Sequence, residues 1–155
     1  IVGCGSVGTE CAKRFMAFGC HVLGIDICPR KDQYYQEILQ LNMLDNVLPQ
    51  MDIIVLTLPL TEDTHYLMND CRFKQLKDNA VIVNIARGGI VDTEALIEHL
   101  PRMGGAVLDV FEEEPLAEES IVWEMENVII TPHNSFVGDG NKERLNNIIL
   151  KNLER

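Results

Sequence analysis

The chain opens with the glycine-rich stretch Gly3-Cys4-Gly5-Ser6-Val7-Gly8, which follows two β-branched residues and precedes a helical pattern. In a strand–turn–helix unit with this spacing, the first glycine allows the sharp turn and the second lets the backbone approach a pyrophosphate. The third lets the helix pack closely on the strand. Such a helix presents N–H groups and the positive end of its dipole to phosphates. Gly3, Gly5 and Gly8 therefore predict a dinucleotide-binding turn.

An acidic residue at the end of the next predicted strand completes this pattern. The strand runs from His21 to Asp26, and Asp26 follows Gly8 by 18 residues. This is close to the spacing of about 20 that is typical of dinucleotide-binding units. A carboxylate at this position can accept hydrogen bonds from both ribose hydroxyls of an adenosine, and it repels a 2′-phosphate. Asp26 therefore favours NAD over NADP as the cofactor.

Helical and strand patterns alternate along the chain, which is typical of an α/β domain with a doubly wound parallel sheet. A single NAD-binding domain of the Rossmann type over residues 1–155 is predicted, because this length suffices for one sizeable core. The predicted strands are His21–Asp26, Asp52–Thr57, Ala80–Ile85, Gly105–Val110 and Val128–Thr131. The predicted helices are Val7–Phe18, Asp70–Leu76, a segment from Asp92 or Thr93 to about Leu100, and Asp139–Leu153. Tyr34–Leu48 is ambiguous, and one or two short helices fit it best.

Both ends of the chain favour a piece of a longer protein. Only two residues precede Gly3, whereas a first parallel strand normally has about five. There is no initial Met, and the chain stops within or just after an amphipathic helical pattern. We therefore expect a domain that is truncated at both ends.

Charge and cysteine content exclude several classes of function. The net charge of −11 argues against nucleic acid and against an anionic membrane surface as partners. No apolar run approaches the roughly 20 residues of a membrane span. Five cysteines form an odd set without a C-x-x-C pair, which favours reduced thiols in a cytoplasmic protein and no metal site.

Four residues that could carry chemistry follow predicted strands, at the edge where a parallel sheet binds its ligand. Arg87 could clamp a carboxylate, although it could also cap a strand end or pair at the surface. Asp109 could accept a hydrogen bond from an amide such as that of nicotinamide, or it could simply start a turn. His133 could deliver a proton with the help of Glu114, or it could be structural.

Several segments together resemble the NAD-binding domain of the D-isomer-specific 2-hydroxyacid dehydrogenases. They cover nearly the whole chain in order. Besides the glycine turn and Asp26, they are Leu56–Thr61 with Thr64, Asn84–Asp92, Gly105–Leu116 and Asn127–His133. The resemblance implies an NAD-dependent oxidoreductase that interconverts a 2-keto acid and a D-2-hydroxy acid by hydride transfer. It also implies a homodimer formed through this domain.

The resemblance also implies roles for individual residues. Arg87 would bind the carboxylate and carbonyl oxygen of the substrate. His133 would be the acid/base and Glu114 the partner that favours its protonated form. The implied cofactor contacts are Ser6 and Val7 at the pyrophosphate, Asp26 at the ribose, Leu58, Pro59 and Thr64 along the adenosine, and Ile85, Ala86 and Asp109, with Arg87 and His133, near the nicotinamide.

Two departures from the family leave alternatives open. After His133 the family usually has a small apolar residue and then Gly, Ala or Trp, whereas this chain has Asn134-Ser135-Phe136. The segments that build the family's substrate domain are absent, so the isolated chain is expected to be inactive. One alternative is an NAD-binding regulatory module without significant turnover, like the C-terminal-binding-protein corepressors. Formate dehydrogenase, a relative within the family, is another.

Overall fold

Strands and helices alternate along the computed structural model, which describes residues 1–135 and 137–153. The strands in this part of the chain are β1 (Leu23–Asp26), β2 (Glu37–Gln40), β3 (Ile53–Leu56), β4 (Val81–Asn84), β5 (Gly105–Leu108) and β6 (Val128–Ile130). The α-helices are α1 (Ser6–Ala17), α2 (Leu44–Val47), α3 (Asp70–Phe73), α4 (Thr93–His99) and α5 (Asn141–Leu153). The predicted α/β architecture is therefore confirmed, with small shifts at the ends of the predicted elements.

The backbone of Val2 joins two groups of parallel strands into one sheet. On one side β1 pairs with β2, and on the other side β3, β4, β5 and β6 follow one another in that order. Val2 bridges Ile25 of β1 and Leu56 of β3. The strand order reverses at Val2, as in a doubly wound sheet. The crevice that binds ligands in such sheets lies beyond the carboxyl ends of the strands at this reversal.

The prediction of one or two short helices over Tyr34–Leu48 is wrong for its first half. Glu37–Gln40 forms β2, which pairs in register with Leu23–Asp26, and α2 begins only at Leu44. Glu37-Ile38-Leu39-Gln40 carries little intrinsic strand preference. Its conformation is decided by pairing with β1 and by burial of Ile38, which is 6% exposed. Tertiary context of this kind readily overrides local propensity.

The sheet separates two apolar clusters of unequal size. The larger cluster contains fully buried side chains such as Leu56, Phe73 and Ile82. The smaller one lies under α1 and contains Cys4, Ala12, Val22, Tyr35 and Ile38. Because neighbouring residues of a strand face opposite sides of a sheet, Gly24 contacts the smaller cluster and Ile25 belongs to the larger.

Asp70, Glu98 and His99 form a group whose possible metal-ligand atoms lie within 4.8 Å of one another. The ring of His99 is almost fully buried, and its Nε2 lies 2.9 Å from Oδ1 of Asp70. The second oxygen of Asp70 accepts a hydrogen bond from Lys74 Nζ at 2.6 Å. Since both oxygens of Asp70 have protein partners, we interpret the group as a link between α3 and α4 and not as a metal site.

The last helix, α5, is present as predicted, but its apolar stripe is not covered by this domain. Leu145, Ile148 and Ile149 are each about half exposed, and Leu153 is 79% exposed. Among the described residues, none of the helices combines the length and apolar character that crossing a bilayer requires.

Candidate functional site

Two of the three glycines in the first turn are required by close backbone contacts. Gly3 has φ +94°, and a Cβ there would lie 2.7 Å from the backbone N of Leu58. A Cβ at Gly8 would lie only 2.1 Å from the carbonyl oxygen of Gly3. By contrast, no described atom lies within 4 Å of a Cβ placed on Gly5. The turn therefore packs tightly against β3 on one side and leaves open space in front of Gly5.

This open space lies at the N-terminus of α1, and its chemistry fits a pyrophosphate. Gly5 is the N-cap residue and supplies no side-chain hydrogen bond to the helix. The first bond within the helix runs from Thr9 N to Gly5 O, so the amides of Ser6, Val7 and Gly8 precede it. Ser6 and Val7 are exposed. Backbone N–H groups and the helix dipole thus supply the positive potential that a chain of net charge −11 otherwise lacks.

Thr57, which follows β3, binds this turn in a role that the sequence analysis missed. Its Oγ1 donates to the carbonyl oxygen of Gly3 at 2.6 Å and lies 3.2 Å from that of Val2. The hydroxyl therefore ties the end of β3 to the turn. The available signal was a single polar residue closing the otherwise apolar run Ile53-Ile54-Val55-Leu56.

Asp26 lies beside the turn at the end of β1, where the sequence predicted it. Its Oδ2 accepts from the amide of Cys4 at 2.7 Å, and its Oδ1 accepts from the amide of Cys28 at 2.9 Å. Arg30 also reaches the turn and donates to the carbonyl oxygen of Cys4. The carboxylate is therefore held at the crevice in a fixed orientation by two backbone donors.

The loop after β3 carries three of the predicted cofactor contacts, which differ in exposure. Leu58 is buried and Pro59 is exposed. Thr64 is only 6% exposed, and its hydroxyl donates to the carbonyl oxygen of Pro59 at 2.8 Å and accepts from the amide of Thr61 at 2.7 Å. In this structure Thr64 therefore organises the loop that presents Pro59, and its hydroxyl is engaged within that loop.

Arg87 follows β4 in a loop that is shaped by Asn84, which the sequence analysis also missed. The buried side chain of Asn84 accepts from the amide of Ala86 and donates to the carbonyl oxygen of Arg87, both at 3.1 Å. Ala86 is buried, Ile85 is partly buried, and the side chain of Arg87 is exposed. A polar residue inside the apolar strand Val81-Ile82-Val83 was the signal for this role.

Asp109 has partners that differ from the predicted nicotinamide amide. Its side chain is 1% exposed and accepts three hydrogen bonds from the turn after β6. The donors are Thr131 Oγ1 at 2.5 Å, the amide of Asn134 at 3.0 Å and the amide of Ser135 at 3.0 Å. Burial alone would raise the pKa of Asp109, but these bonds outweigh it and bring the pKa to about 2. The carboxylate is therefore charged and engaged within the protein.

The turn held by Asp109 carries His133 in an uncommon backbone conformation. His133 has φ +50°, in the left-handed region that non-glycine residues seldom occupy. Its amide donates to the carbonyl oxygen of Thr131 at 3.1 Å. The two following amides bind Asp109, so the carboxylate fixes the chain on the far side of His133. The atypical stretch after His133 thus contributes its backbone here, while Phe136 lies outside the described residues.

His133 and Glu114 form the pair that the sequence predicted. Nδ1 of His133 lies 2.7 Å from Oε2 of Glu114, and Oε1 of Glu114 accepts from the amide of Phe111 at 3.0 Å. The bond with His133, followed by that with Phe111, lowers the pKa of Glu114 below its usual range. A charged carboxylate therefore faces one ring nitrogen of the histidine at neutral pH.

The backbone of Phe111 and Glu112 brings the Arg87 loop next to this pair. A Cβ at Gly88 would lie 1.9 Å from the carbonyl carbon of Phe111, so only glycine fits between the two loops. The amide of Phe111 holds Glu114. The carboxyl ends of β4, β5 and β6 thus carry Arg87, Asp109 and His133 on adjacent strands. The arrangement provides a cation for a carboxylate and a proton donor beside the dinucleotide crevice.

The chain is similar to several known proteins. The family model described as "D-isomer specific 2-hydroxyacid dehydrogenase, NAD binding domain" matches residues 1–135. A glyoxylate reductase from Pyrococcus horikoshii is 38% identical over 99% of this chain and 46% of its own length. The chain thus spans about half the length of the curated relatives it matches.

Two solved structures are similar in fold as well as in sequence. A D-isomer specific 2-hydroxyacid dehydrogenase from Xanthobacter autotrophicus, in complex with NADPH and MES, superposes with a TM-score of 0.81 at 38% identity, over 85% of this chain and 42% of that one. A phosphoglycerate dehydrogenase from Lactobacillus plantarum gives a TM-score of 0.85 at 33% identity, over 91% of this chain and 46% of that one.

The glycine turn yields a matched pair of substitutions with opposite expected effects. Gly8→Ala should lower the free energy of unfolding by about 2 kcal/mol, because the methyl group collides with the Gly3 carbonyl. Gly5→Ala should change it by less than about 0.5 kcal/mol, since the methyl group meets open space, yet should weaken NADH binding about ten-fold. Urea unfolding and NADH fluorescence titration measure both. A Gly8→Ala variant as stable as the wild type would contradict the assigned contact.

Asp109→Asn should destabilise the fold in a pH-dependent way. The pKa of Asp109 in the folded protein, about 2, lies below its usual value of 3.8, so the charged form stabilises the folded state above the unfolded pKa. The variant should lose about 2 kcal/mol at pH 7, and the loss should shrink as the pH falls from about 5 towards 2.

Urea unfolding of both proteins at a series of pH values measures this difference. Asp139→Asn, which removes an exposed carboxylate near the same end of the chain, serves as the control and should change stability by less than about 0.5 kcal/mol. A loss for Asp109→Asn that is the same at pH 7 and pH 3 would contradict the role of its charge.

Proposed function

This chain belongs to the D-isomer specific 2-hydroxyacid dehydrogenases, as their NAD-binding domain, and we propose that the protein interconverts a 2-keto acid and a D-2-hydroxy acid. The observation that carries this proposal is the His133–Glu114 pair. It stands at the end of β6, beside the Arg87 loop and in the same crevice as the dinucleotide turn. An acid/base, a carboxylate clamp and a cofactor site are the three parts that this reaction requires.

The chain's own residues can line a path for the dinucleotide. The amides of Ser6 and Val7 would bind the pyrophosphate, with Gly3, Gly5 and Gly8 shaping the turn. Asp26 would accept from the ribose hydroxyls. The remaining contacts are assigned to Leu58, Pro59 and Thr64 beside the adenosine, and to Ile85 and Ala86 near the nicotinamide, while Asp109 acts there through the turn that it holds. When bound, the nicotinamide supplies the hydride that the keto carbon accepts.

Arg87 and His133 would act on the substrate itself. The guanidinium of Arg87 binds the carboxylate and polarises the carbonyl oxygen, which favours attack at the keto carbon. As that carbon is reduced, the oxygen takes a proton from the protonated imidazole of His133. The charged Glu114 orients the ring through Nδ1, so Nε2 is the atom assigned to proton transfer. In the reverse direction His133 accepts the proton.

Asp26 supports NAD as the preferred cofactor. One of its oxygens binds the amide of Cys4 in the turn and the other binds the amide of Cys28, so a 2′-phosphate beside the turn would meet a negative charge. The similar protein from Xanthobacter autotrophicus was solved with NADPH, so cofactor choice varies among the proteins this chain resembles. Arg30, which donates to the carbonyl oxygen of Cys4 in the same turn, is a cation that could attract a 2′-phosphate once Asp26 is removed.

We base the proposed substrate class and oligomeric state of the protein on its family, and the proposed location on its cysteines. Small 2-keto acids are the substrate class, and glyoxylate is the first candidate because the Pyrococcus horikoshii relative is a glyoxylate reductase. Family membership supports a homodimer formed through this domain. Five cysteines without a disulfide among the described residues support a reducing, cytoplasmic location.

The proposed activity is tested with the longest natural form of the chain and a panel of 2-keto acids. Loss of NADH absorbance with at least one of them, and a kcat/KM for NADH well above that for NADPH, is the expected result. Tight NADH binding without turnover of any keto acid would instead favour a regulatory NAD-binding module.

The acid/base pair gives a further prediction for the active protein. His133→Ala should lower kcat by a factor of about 10² to 10⁴, because the general acid is lost, while NADH affinity stays within about two-fold. Glu114→Gln should lower kcat about ten-fold, because Nδ1 of His133 loses the charged carboxylate that orients the ring.

Glu113→Gln removes a neighbouring charge in the same loop and serves as the control for Glu114→Gln. An unchanged kcat in Glu114→Gln, or full turnover in His133→Ala, would remove these residues from the mechanism.

A further inference from the structure

Glu112 is an acidic residue of the same loop whose side chain points away from the His133–Glu114 pair and towards the Arg87 side. Its Oε2 accepts from the hydroxyl of Tyr66 at 2.5 Å, and its Oε1 accepts from the amide of Thr93 at 2.9 Å. Thr93 is the first residue of α4, directly after the Arg87 loop. One carboxylate therefore joins the segment of Tyr66 to the end of the segment that carries Arg87.

The hydrogen bond between Glu112 and the amide of Thr93 is additional to the usual N-terminal cap of α4. Asp92 is the N-cap of that helix, and its side chain already accepts from the amide of Ala95 at 3.1 Å. The helix therefore has its own capping carboxylate. Glu112 therefore joins the start of α4 to a second segment, in which the side chain of Tyr66 is its partner.

The backbone of Tyr66 also binds the Arg87 loop. Its amide donates to the carbonyl oxygen of Gly89 at 2.8 Å, and the amide of Met68 donates to the carbonyl oxygen of Ile90 at 3.0 Å. Tyr66 has φ +48°, a left-handed conformation that is uncommon for an aromatic residue. Such a conformation persists only where the surroundings hold it, and the bond to Glu112 is one such restraint.

The Arg87 loop is thus held on both sides. Asn84 binds the loop at Ala86 and Arg87. After Arg87, Tyr66 binds its backbone, the backbone of Phe111 contacts it, and Glu112 binds the amide of Thr93 at its end. The guanidinium itself is exposed and donates to the carbonyl oxygen of Ala86 at 2.6 Å. Its direction is therefore set by the backbone of this loop.

We propose that Tyr66 and Glu112 are positioning residues for the substrate clamp: their hydrogen bond holds the loop that aims Arg87 at the carboxylate of the keto acid. The inference rests on the proposed function. It assigns to this pair an effect on substrate affinity and not on cofactor affinity. Within residues 1–135, the hydrogen bonds of these two side chains go to each other and to Thr93, and none goes to the dinucleotide turn.

The test compares four single variants and one double variant of the longest natural form of the chain. Tyr66→Phe removes one oxygen, and Glu112→Ala removes the whole link. Glu112→Gln keeps an acceptor for the amide of Thr93 and can donate to the oxygen of Tyr66. Glu113→Ala is the matched control, since it removes an equal charge from the same loop without a hydrogen bond to the Arg87 segment among residues 1–135.

The expected result is a change in the Michaelis constant for the keto acid without a matching change in that for NADH. KM for the keto acid should rise about five-fold in Tyr66→Phe and about ten-fold in Glu112→Ala, while KM for NADH stays within about two-fold. Glu112→Gln should recover most of the loss, and Glu113→Ala should match the wild type. Tyr66→Phe added to Glu112→Ala should cause no further rise, because both remove the same interaction.

Each other outcome counts against the inference. An active wild type with an unchanged keto-acid KM in Tyr66→Phe and Glu112→Ala would overturn it and leave the proposed function standing. An equal rise in both Michaelis constants would show a general loosening of the fold and would also overturn it. A wild type that turns over no keto acid would overturn the proposed function and this inference together. Tyr66→Phe keeps the test decisive if Glu112→Ala does not fold.

Discussion

The geometry of the site depends on one buried carboxylate. Asp109 directly follows β5 and receives three hydrogen bonds from the turn that follows β6. These bonds keep Asp109 charged at all but very low pH and hold His133 in a left-handed conformation that it would not adopt alone. The imidazole is then presented to Glu114 from a fixed backbone. A rigid backbone on neighbouring strands is what a proton donor needs in order to meet its substrate reproducibly.

A second constraint is the binding of an anionic cofactor by a strongly acidic chain. Net charge cannot attract a pyrophosphate here, so the attraction must be local. The end of α1 supplies it, and the turn is kept in shape by contacts that only glycine permits at positions 3 and 8. Thr57 and Val2 tie that turn into the centre of the sheet. The cofactor site and the point where the strand order reverses are therefore one piece of structure.

The sequence predicted the architecture well because alternating apolar segments and glycine spacing are local signals. It failed at Glu37–Gln40, whose conformation comes from pairing with a distant strand. It placed Asp26, Arg87, Glu114 and His133 at the correct edge of the sheet, since strand ends can be read from the pattern. It missed Thr57 and the partners of Asp109, because hydrogen bonds between residues far apart in the chain produce no periodic pattern in the sequence. It also missed Asn84, because its local bonds to Ala86 and Arg87 do not change the apolar pattern of the strand.

The proposed function requires that a 2-keto acid be reduced to its D-2-hydroxy acid with a proton from His133. Chiral chromatography tests this on the product formed from NADH and a keto acid whose product is chiral, such as pyruvate or hydroxypyruvate. The D-isomer is expected from the wild type, and a greatly reduced yield is expected from His133→Ala. Formation of the L-isomer, or a yield that does not depend on His133, would contradict the proposed function.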